Sequence, residues 1–294
     1  MKPFFEAERK KILGDLLNYQ APPWKDQLTY KNEFTNANMI NLEPDNIIYR
    51  FFNKDTFLKT LKEKKLCLVR PIIWADPYEN YILSSIGITP QGKRVGFEKL
   101  RNNYYAQCWT IKSECDGLWR NYGKCSNGEA IAIKVKTNVK KLMNDFYDMS
   151  NTFYHSDSYF IGKVEYHDND YFQKIPEKSI SLLDVNLTNA PHALLLKRKA
   201  FSYEEEVRLI FRKMETNNPD VFKNVKNMWD DSDKFFVSFD PNTLLDEIEI
   251  DPWLSKDTCM KITNEIRNLG YNGIIHQSQL YKRTDFELKI SDCI

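Results

Sequence analysis

The hydrophobic pattern late in the chain predicts a β-strand with two chemically different faces. Side chains of a strand alternate between the two faces of its sheet, so Val207, Leu209 and Phe211 would share one face. Glu206 and Arg208 would share the other. One face then seals a core, while the other holds a carboxylate charged beside a guanidinium, where desolvation alone would raise its pKa. A solvated edge strand with a structural ion pair explains the same pattern.

Similar patterns predict other short strands with a few helices between them. The predicted strands are Ile47–Phe52, Leu66–Val69, Tyr104–Thr110, Ala130–Val135, Gly162–Tyr166, Leu245–Ile250 and Gly273–His276. The predicted helices are Glu6–Tyr19, Thr56–Lys64, Asn138–Met149 and Ser255–Leu269, with a further one from Leu182. The segment Asn53-Lys54-Asp55 offers an N-cap for the second of these, and Ser255 can cap the fourth. Because strands and helices do not alternate regularly, we expect an α+β fold with a mixed, mainly antiparallel central sheet and flanking helices.

The order of these elements predicts two parts of unequal size. Residues 1–46 would form a helical appendage and a loop, and residues 47–294 a single α+β domain. A polar insertion is predicted near residues 215–233. A chain of 294 residues is long enough to bury a substantial core.

Composition narrows the class of protein without naming a function. Apolar residues at 42% and charged residues at 28% are typical of globular proteins. The net charge of +1 predicts no general attraction to nucleic acid or to membranes. No apolar stretch approaches the about 18 residues that span a bilayer, and the first ten residues lack the apolar stretch of a secretory signal. We therefore expect a cytoplasmic protein without a membrane partner, and its oligomeric state stays open.

Cysteines and basic runs offer little chemistry in this chain. The cysteines are Cys67, Cys108, Cys115, Cys125, Cys259 and Cys293. Their spacing is not that of metal ligands, so we expect reduced, mostly buried thiols and no metal site. The runs Lys62–Lys65 and Lys197–Lys199 predict solvated surface. Neither a phosphate-loop glycine pattern nor a dinucleotide-binding fingerprint occurs.

Several short motifs follow one another in an informative order. They are Tyr49-Arg50, the turn Trp74-Ala75-Asp76-Pro77-Tyr78-Glu79, the strand Cys108-Trp109-Thr110, the pair Trp119 and Tyr122 ahead of Gly128, and an acidic segment with Phe201, Glu204, Glu206 and Arg208. In this order the chain resembles a bacterial family known as domain-of-unknown-function family 2971, over residues 47–285. Two positions depart from the family pattern, since Ala75 replaces Asn and Phe201 replaces Trp.

The same layout is similar to that of ADP-ribosyltransferase-like proteins. This second resemblance implies an NAD-consuming enzyme in which an ionised glutamate stabilises the positive charge that develops when nicotinamide leaves the ribose. It implies Glu206 as the catalytic carboxylate, with Glu204 beside it. The NAD-binding residues would be Tyr49, Arg50, Trp109, Thr110, Tyr122 and Arg208. The cleft rim would consist of Trp74, Asp76, Glu79 and Trp119.

Within this scheme, Arg50 would grip the diphosphate of NAD through a forked contact. Trp109 would stack on nicotinamide, and Thr110 would bond to the ribose. Tyr49 or Tyr122 would close the pocket. The acceptor would be nucleic acid or protein, and the likeness to defence-associated bacterial families suggests a toxin or an antiviral effector.

Two other functions fit the same residues. Asp76, Glu79, Glu204 and Glu206 would converge on Mg²⁺ in a nuclease or another phosphodiesterase. In a noncatalytic module, aromatic and arginine side chains would instead bind a nucleotide or a nucleic-acid strand without turnover.

Structural explanations also exist for single residues. Arg50 would stack on neighbouring aromatic rings, Asp76 would bond local backbone amides in a turn, and Trp119 and Tyr122 would pack in the core. The functional hypothesis therefore requires that Arg50, Glu206 and the strand of Trp109 border one cavity.

Overall fold

The computed structural model describes residues 35–36, 38–123, 130–146, 159–177, 189–213, 229–231 and 233–291. The predicted N-terminal helix, the helix predicted from Leu182 and most of the predicted polar insertion lie outside these residues. The division into a helical appendage and a single domain therefore stays a prediction. Within the described ranges, no helix combines the length and the apolar character needed to cross a membrane.

Fifteen strands lie within the described residues. They are β1 Met39–Ile40, β2 Ile47–Asn53, β3 Lys65–Val69, β4 Ile86–Ile88, β5 Arg94–Gly96, β6 Tyr104–Thr110, β7 Ala132–Asn138, β8 Tyr159–Lys163, β9 Glu165–His167, β10 Leu196–Arg198, β11 Glu206–Arg212, β12 Trp229–Asp231, β13 Lys234–Ser238, β14 Glu247–Ile250 and β15 Ile274–Gln277. The main sheet runs in the order β1-β8-β11-β6-β2-β7-β14-β15, and β3, β13 and β12 branch from β6. Two small sheets, β9–β10 and β4–β5, lie apart from it.

Eight helices lie within the described residues, and some of them begin at a capping side chain. They are α1 Lys54–Glu63, α2 Glu98–Asn102, α3 Asp116–Gly123, α4 Val139–Phe146, α5 Asn169–Lys174, α6 Asn189–Ala193, α7 Pro241–Leu244 and α8 Lys256–Asn268. The side chain of Asn53 accepts a hydrogen bond from the N–H of Asp55 at the start of α1. Ser255 accepts one from the N–H of Thr258 at the start of α8. Both caps were predicted, because such side chains satisfy N–H groups that the first turn leaves free.

The predicted fold class is confirmed. Within the main sheet, β1–β8 and β14–β15 are parallel, and the other described pairs are antiparallel. The helices flank this sheet without the regular strand–helix repeat of a doubly wound fold.

The main core lies on one face of the sheet. Val207, Leu209 and Phe211 of β11 are buried there. Helices α1, α4 and α8 cover this face with Phe57, Leu61, Val139, Leu142, Met143, Phe146, Ile262 and Ile266. The predicted apolar face of β11 is therefore confirmed.

Smaller clusters cover the opposite face, which also carries the polar side of β11. Ile210 packs there with Leu83 and Leu194. Helix α3 buries Leu118 and Trp119 against Phe51 of β2. The two clusters leave space between them, and the candidate site lies in that space.

One predicted strand is two strands in the structure. We predicted Gly162–Tyr166 as a single strand, whereas β8 ends at Lys163 and β9 starts at Glu165. The N–H of Val164 still bonds to the carbonyl of Glu206, but the N–H of Glu165 bonds to that of Leu195. The chain changes partner at this point, from the main sheet to the small sheet β9–β10.

Candidate active site

Glu206 opens strand β11 and shares a face with Arg208, as the alternation predicts. In the pairing with β6, Glu206 lies opposite Thr110 and Arg208 opposite Cys108. Nε of Arg208 donates to Oε1 of Glu206 over 2.9 Å, and Nη2 donates to Oε2 over 3.0 Å. The polar face of the strand thus carries a forked, charge-assisted pair.

The turn before β11 is tied to the neighbouring strand. Glu205 has a left-handed backbone with φ of 40°, which is uncommon for a residue other than glycine. The hydroxyl of Thr110 donates to the carbonyl of Glu204 over 2.5 Å and accepts from the N–H of Lys112 over 3.0 Å. Because β6 holds the turn, Glu206 enters the sheet in a fixed register.

A buried lysine completes the polar site. Lys197 lies on β10 and is only 6% exposed. Its Nζ lies 3.0 Å from Oε2 of Glu206, 2.6 Å from Oε2 of Glu204 and 2.7 Å from Oε1 of Glu79. The prediction of solvated surface is therefore wrong for Lys197, because three carboxylates hold its ammonium inside the protein.

Five side chains form one ion-pair network, hereafter the Glu206 cluster: Glu79, Lys197, Glu204, Glu206 and Arg208. Nη2 of Arg208 lies 3.2 Å from Oε1 of Glu79, which closes the network on a second side. The cluster contains three carboxylates and two cations, so one negative charge is left over.

Arg208 is fully occupied by the protein itself. It is completely buried, its Nη1 donates to the carbonyl of Leu194 over 2.6 Å, and its guanidinium lies 4.2 Å from the ring centre of Trp74. Arg208 is therefore placed to hold Glu206, and its predicted contact with NAD has no support from this placement.

The cluster sets the protonation of its carboxylates. Burial alone pushes the pKa of Glu206 upward, but the charge and hydrogen bonds of Arg208, together with Lys197, outweigh burial and hold that pKa at about 2. Burial raises the pKa of Glu204, and Lys197 only partly opposes this effect. Glu206 is thus the carboxylate that stays ionised at every physiological pH.

The acids predicted for a Mg²⁺ site are divided between two cations. Glu79 and the two glutamates of the acidic segment converge on Lys197, whereas Asp76 pairs with Arg198 over 3.0 and 3.1 Å. Asp76 also accepts from the N–H of Tyr78, the turn contact predicted as its structural explanation. Because an ammonium and a guanidinium already contact the converging carboxylates, this arrangement does not favour a divalent cation.

A cavity of about 130 Å³ lies beside the Glu206 cluster. Its walls are formed by Tyr49, Arg50, Phe51, Glu79, Cys108, Trp109, Thr110, Leu118, Tyr122, Lys197, Glu204 and Glu206. Arg50, Glu206 and the strand of Trp109 therefore border one cavity, as the functional hypothesis requires. The enclosed volume suits one aromatic ring, since benzene occupies an engineered cavity of about 150 Å³.

Arg50 brings an unpaired positive charge to this cavity. Its Nη1 is buried and has no hydrogen-bond partner among the described residues. Its guanidinium stacks over Phe52 at 4.5 Å, the aromatic contact predicted as its structural explanation. Burial lowers the pKa of Arg50. A buried donor without a partner costs roughly 1–3 kcal/mol, so an acceptor such as a phosphate oxygen at Nη1 would be favourable.

Cys108 is a wall residue that sequence analysis did not assign to the site. Burial raises the pKa of its thiol well above the ordinary range, and the charge of Glu206 adds to this effect. The thiol and the carboxylate of Glu206 also share a hydrogen bond. The one signal in the sequence was its position on β6, where alternation places it on the face of Thr110.

The predicted NAD-binding residues divide into two groups. Arg50, Thr110, Tyr49 and Tyr122 border the cavity, and the hydroxyl of Thr110 is already used by the turn. The ring of Trp109 packs in the main core, where its indole N–H donates to Gln107 over 2.9 Å. The predicted stacking of Trp109 on nicotinamide has no support from this placement, because the ring lies on the opposite face of the sheet.

The predicted rim residues also divide. Glu79 belongs to the cavity wall, and Trp74 lies under Arg208. Trp119 is completely buried and meets Phe51 edge-on, with ring centres 4.9 Å apart. Trp119 therefore packs in the core, which is its structural explanation, and it does not belong to the wall of the cavity.

A second ion-pair network joins the neighbouring strands β7 and β14 to the loop before α3, hereafter the Lys134 cluster: Glu114, Lys134 and Glu249. Nζ of Lys134 lies 2.9 Å from Oε1 of Glu114 and 2.8 Å from Oε1 of Glu249. Burial raises the pKa of Glu249 to about 7, because the single ammonium is shared with Glu114. Hydrogen bonds from Trp119 and Lys134 outweigh burial and lower the pKa of Glu114.

Ligand atoms of Glu247, Glu249 and His276 lie within 4.8 Å of one another, a spacing that suits a metal ion. Lys134 already holds Glu249, and Lys136 lies 3.2 Å from Glu247. The two ammonium groups therefore neutralise the carboxylates that a metal would need.

Comparison with known proteins confirms the first family resemblance. The model of the family "Protein of unknown function (DUF2971)" matches residues 118–209, a range that includes Tyr122, Lys197, Glu204, Glu206 and Arg208. None of the curated proteins has a sequence that matches this chain.

Solved structures of DarT from Thermus sp. 2.9 align with most of the chain. The complex with NAD+ is 9% identical with a TM-score of 0.35, and the complex with carba-NAD+ is 11% identical with a TM-score of 0.33; each alignment covers 81% of this chain and 97% of DarT. The complex with ADP-ribosylated ssDNA is 9% identical with a TM-score of 0.33, covering 82% and 97%. Similarity at this level carries no argument about function; the geometry of the site does.

Proposed function

We propose that this protein is an NAD-consuming, ADP-ribosyltransferase-like enzyme. The observation that carries the proposal is that Glu206, held ionised, borders the same cavity as Arg50, whose Nη1 has no hydrogen-bond partner within the described part of the chain. Strongly shifted pKa values cluster at functional sites, and a carboxylate held ionised in the wall of a cavity supports a catalytic role.

The charges of the cavity match those of NAD. One side of the wall belongs to the Glu206 cluster, which retains one negative charge, and Arg50 contributes a positive charge elsewhere in the wall. NAD carries a cationic nicotinamide ring and an anionic diphosphate. The ring suits the enclosed volume beside Glu206, and the diphosphate suits the unpaired guanidinium of Arg50.

Glu206 would act by stabilising charge. When the bond between nicotinamide and ribose breaks, its electron pair leaves with nicotinamide and positive charge develops on the ribose. An ionised carboxylate already fixed by Arg208 and Lys197 favours that charge without reorganising during the reaction. An acceptor nucleophile then bonds to the ribose and releases a proton; water in its place gives hydrolysis.

The remaining residues have supporting roles in this proposal. Tyr49 and Tyr122 border the cavity and would enclose the ring. Glu204, whose pKa is raised by burial, would accept the proton that the acceptor releases. The acceptor is a nucleic acid or a protein, and a toxin or antiviral effector would use such a modification.

The direct test uses labelled NAD with separate nucleic-acid and protein fractions of a cell extract. We expect transfer or NAD hydrolysis by the native chain, and a loss of about 100-fold or more in Glu206→Gln, as for other removed charge-stabilising groups. Arg50→Ala should raise KM for NAD more than it lowers kcat, because uniform binding of the diphosphate is lost.

Glu249→Gln is the matched control, since it removes a buried strand glutamate that does not border the cavity. Activity should survive in this variant. Neither transfer nor hydrolysis by the folded native chain, or full activity in Glu206→Gln, would contradict the proposal.

A further inference from the structure

Lys197 makes three contacts with carboxylates and is saturated by them. An ammonium group has three N–H donors and no acceptor. Its Nζ has three carboxylate oxygens at 2.6–3.0 Å, one each from Glu79, Glu204 and Glu206. Every donor therefore has its own carboxylate, and none is left for a ligand in the cavity.

The small sheet β9–β10 positions Lys197 next to Glu206. Strands β9 and β10 pair in parallel, with Lys197 beside Tyr166. The phenol oxygen of Tyr166 accepts the backbone N–H of Glu206 over 2.8 Å, while Lys197 holds the carboxylate. Two neighbouring side chains thus fix both ends of the same glutamate.

Three carboxylates would not stay together without this ammonium. Arg208 contacts Glu206 and Glu79, and Lys197 is the cation that reaches Glu204 within the cluster. Like charges gathered around one cation favour protonation of one member or movement apart when that cation is removed. Enzymes often gather carboxylates in this way around a divalent cation, at metal–oxygen distances of about 2.0–2.6 Å. Here the distances are those of hydrogen bonds to nitrogen.

We infer that Lys197 is a positioning residue whose ammonium takes the place of a divalent metal ion, so that it gathers Glu79, Glu204 and Glu206 without contacting the substrate. Its effect on turnover rests on the proposed function. Its effect on the carboxylates does not, and the two are tested separately below.

The first test replaces the ammonium with a methyl thioether of similar length. Lys197→Met should lower kcat for NAD turnover by about 100-fold with KM changed less than about threefold. The loss of kcat/KM on acidification should begin at a higher pH than in the native chain, because Glu206 loses one of the two cations that lower its pKa. A purely structural loss would lower activity without moving this pH. Lys197→Arg, which keeps the charge, should restore the native pH dependence.

The second test needs no activity. In Lys197→Ala, the vacated space should bind Ca²⁺ or Mn²⁺ with a Kd at least tenfold tighter than in the native chain, measured by calorimetry. The triple variant Lys197→Ala with Glu79→Gln and Glu204→Gln should lose this binding. Thermal melts check that each variant folds.

The outcomes separate the two proposals. A native pH dependence of kcat/KM in Lys197→Met, or no gain of cation binding in folded Lys197→Ala, overturns the role of Lys197. If Lys197→Met does not fold, Lys197→Arg and the cation titration of Lys197→Ala decide. If the native chain turns over no NAD but Lys197→Ala gains the cation site, the proposed function fails and the role of Lys197 stands.

Discussion

The Glu206 cluster and the Lys134 cluster have similar components, but they shift the pKa of a buried glutamate in opposite directions. Each contains a strand glutamate that is buried beside a lysine, with less than a tenth of the glutamate exposed. In the first, the pKa of Glu206 is held at about 2, and in the second the pKa of Glu249 rises to about 7. Burial opposes the charge of both residues, so the difference lies in the cations.

Glu206 contacts two cations, whereas Glu249 contacts one. Both oxygens of Glu206 receive donors from Arg208, and one also receives Lys197. Among the described residues, Lys134 is the cation that contacts Glu249, and Glu114 competes for the same ammonium and adds its own negative charge. The number of donors around a carboxylate therefore decides whether a buried glutamate is an ion or a titrating acid in this sheet.

Removing one cation from each cluster should produce the largest contrast. Arg208→Met leaves the carboxylates of Glu79 and Glu206 without their arginine partner, which is completely buried. We expect a loss of about 3–5 kcal/mol in the free energy of unfolding. Lys134→Met should cost only about 1–3 kcal/mol at pH 7, since Glu249, with a pKa of about 7, takes up a proton readily. Urea unfolding of both variants at pH 7 measures the contrast.

Lys134→Met at pH 9 is the internal control for this comparison. At that pH a protonated Glu249 is less favourable, so protonation no longer offsets the loss of Lys134. The loss in the free energy of unfolding should then approach that of Arg208→Met. Equal losses at pH 7 would mean that the number of cations is not what separates the two clusters.

The pH dependence of stability should differ in sign between the clusters. Glu206 has a folded pKa of about 2, below its ordinary 4.5, so its contribution is present above pH 4.5 and is lost as pH falls toward 2. Glu249 has a folded pKa of about 7, above 4.5, so the folded protein keeps a proton that the unfolded chain releases. Stability therefore falls as pH rises from 4.5 to 7, with a slope of up to about 1.4 kcal/mol per unit.

Two glutamine variants separate the contributions of Glu206 and Glu249 to the pH dependence of stability. Glu206→Gln should flatten the loss of stability below pH 4.5, and Glu249→Gln should flatten the fall between pH 4.5 and 7. Chemical unfolding across pH 3–8 gives both slopes. A native slope retained between pH 4.5 and 7 in Glu249→Gln would assign that slope to another group.

The smallest effect should come from an exposed pair beside the Glu206 cluster. Nζ of Lys112 lies 3.9 Å from Oε1 of Glu205, and the two side chains are 35% and 43% exposed. Exposed pairs contribute about 0–1 kcal/mol, so Lys112→Ala should change the free energy of unfolding by less than about 0.5 kcal/mol. Unfolding in low and high salt measures it, and a loss comparable to that of Lys134→Met would show that exposure does not rank these pairs.

The alternation of polar and apolar residues along β11 was enough to predict the pairing of Glu206 with Arg208 in the site. It placed Glu206 and Arg208 on the polar face of β11 and Val207 in the core, because a buried sheet face tolerates only one register. The caps of α1 and α8 were predicted for a similar reason, since the capping side chain and the N–H that it satisfies are near neighbours in sequence.

The other half depended on contacts between distant segments. Glu79 lies 118 residues before Lys197 in the sequence, and nothing in the local pattern predicts that the two would meet. A lysine within a basic run has the same local signature whether it is solvated or held by carboxylates. The stacking role of Trp109 failed to gain support because the register of β6 turns its ring to the main core.

Strand register has a consequence for how such a protein can vary. Thr110 anchors the turn before β11, and the pairing sets Arg208 against Cys108. Gaining or losing one residue within either strand would exchange its two faces, so that Val207 would point at the cavity and Glu206 into the main core. We therefore expect insertions in loops, while the register between β6 and β11 must be kept for the site to form.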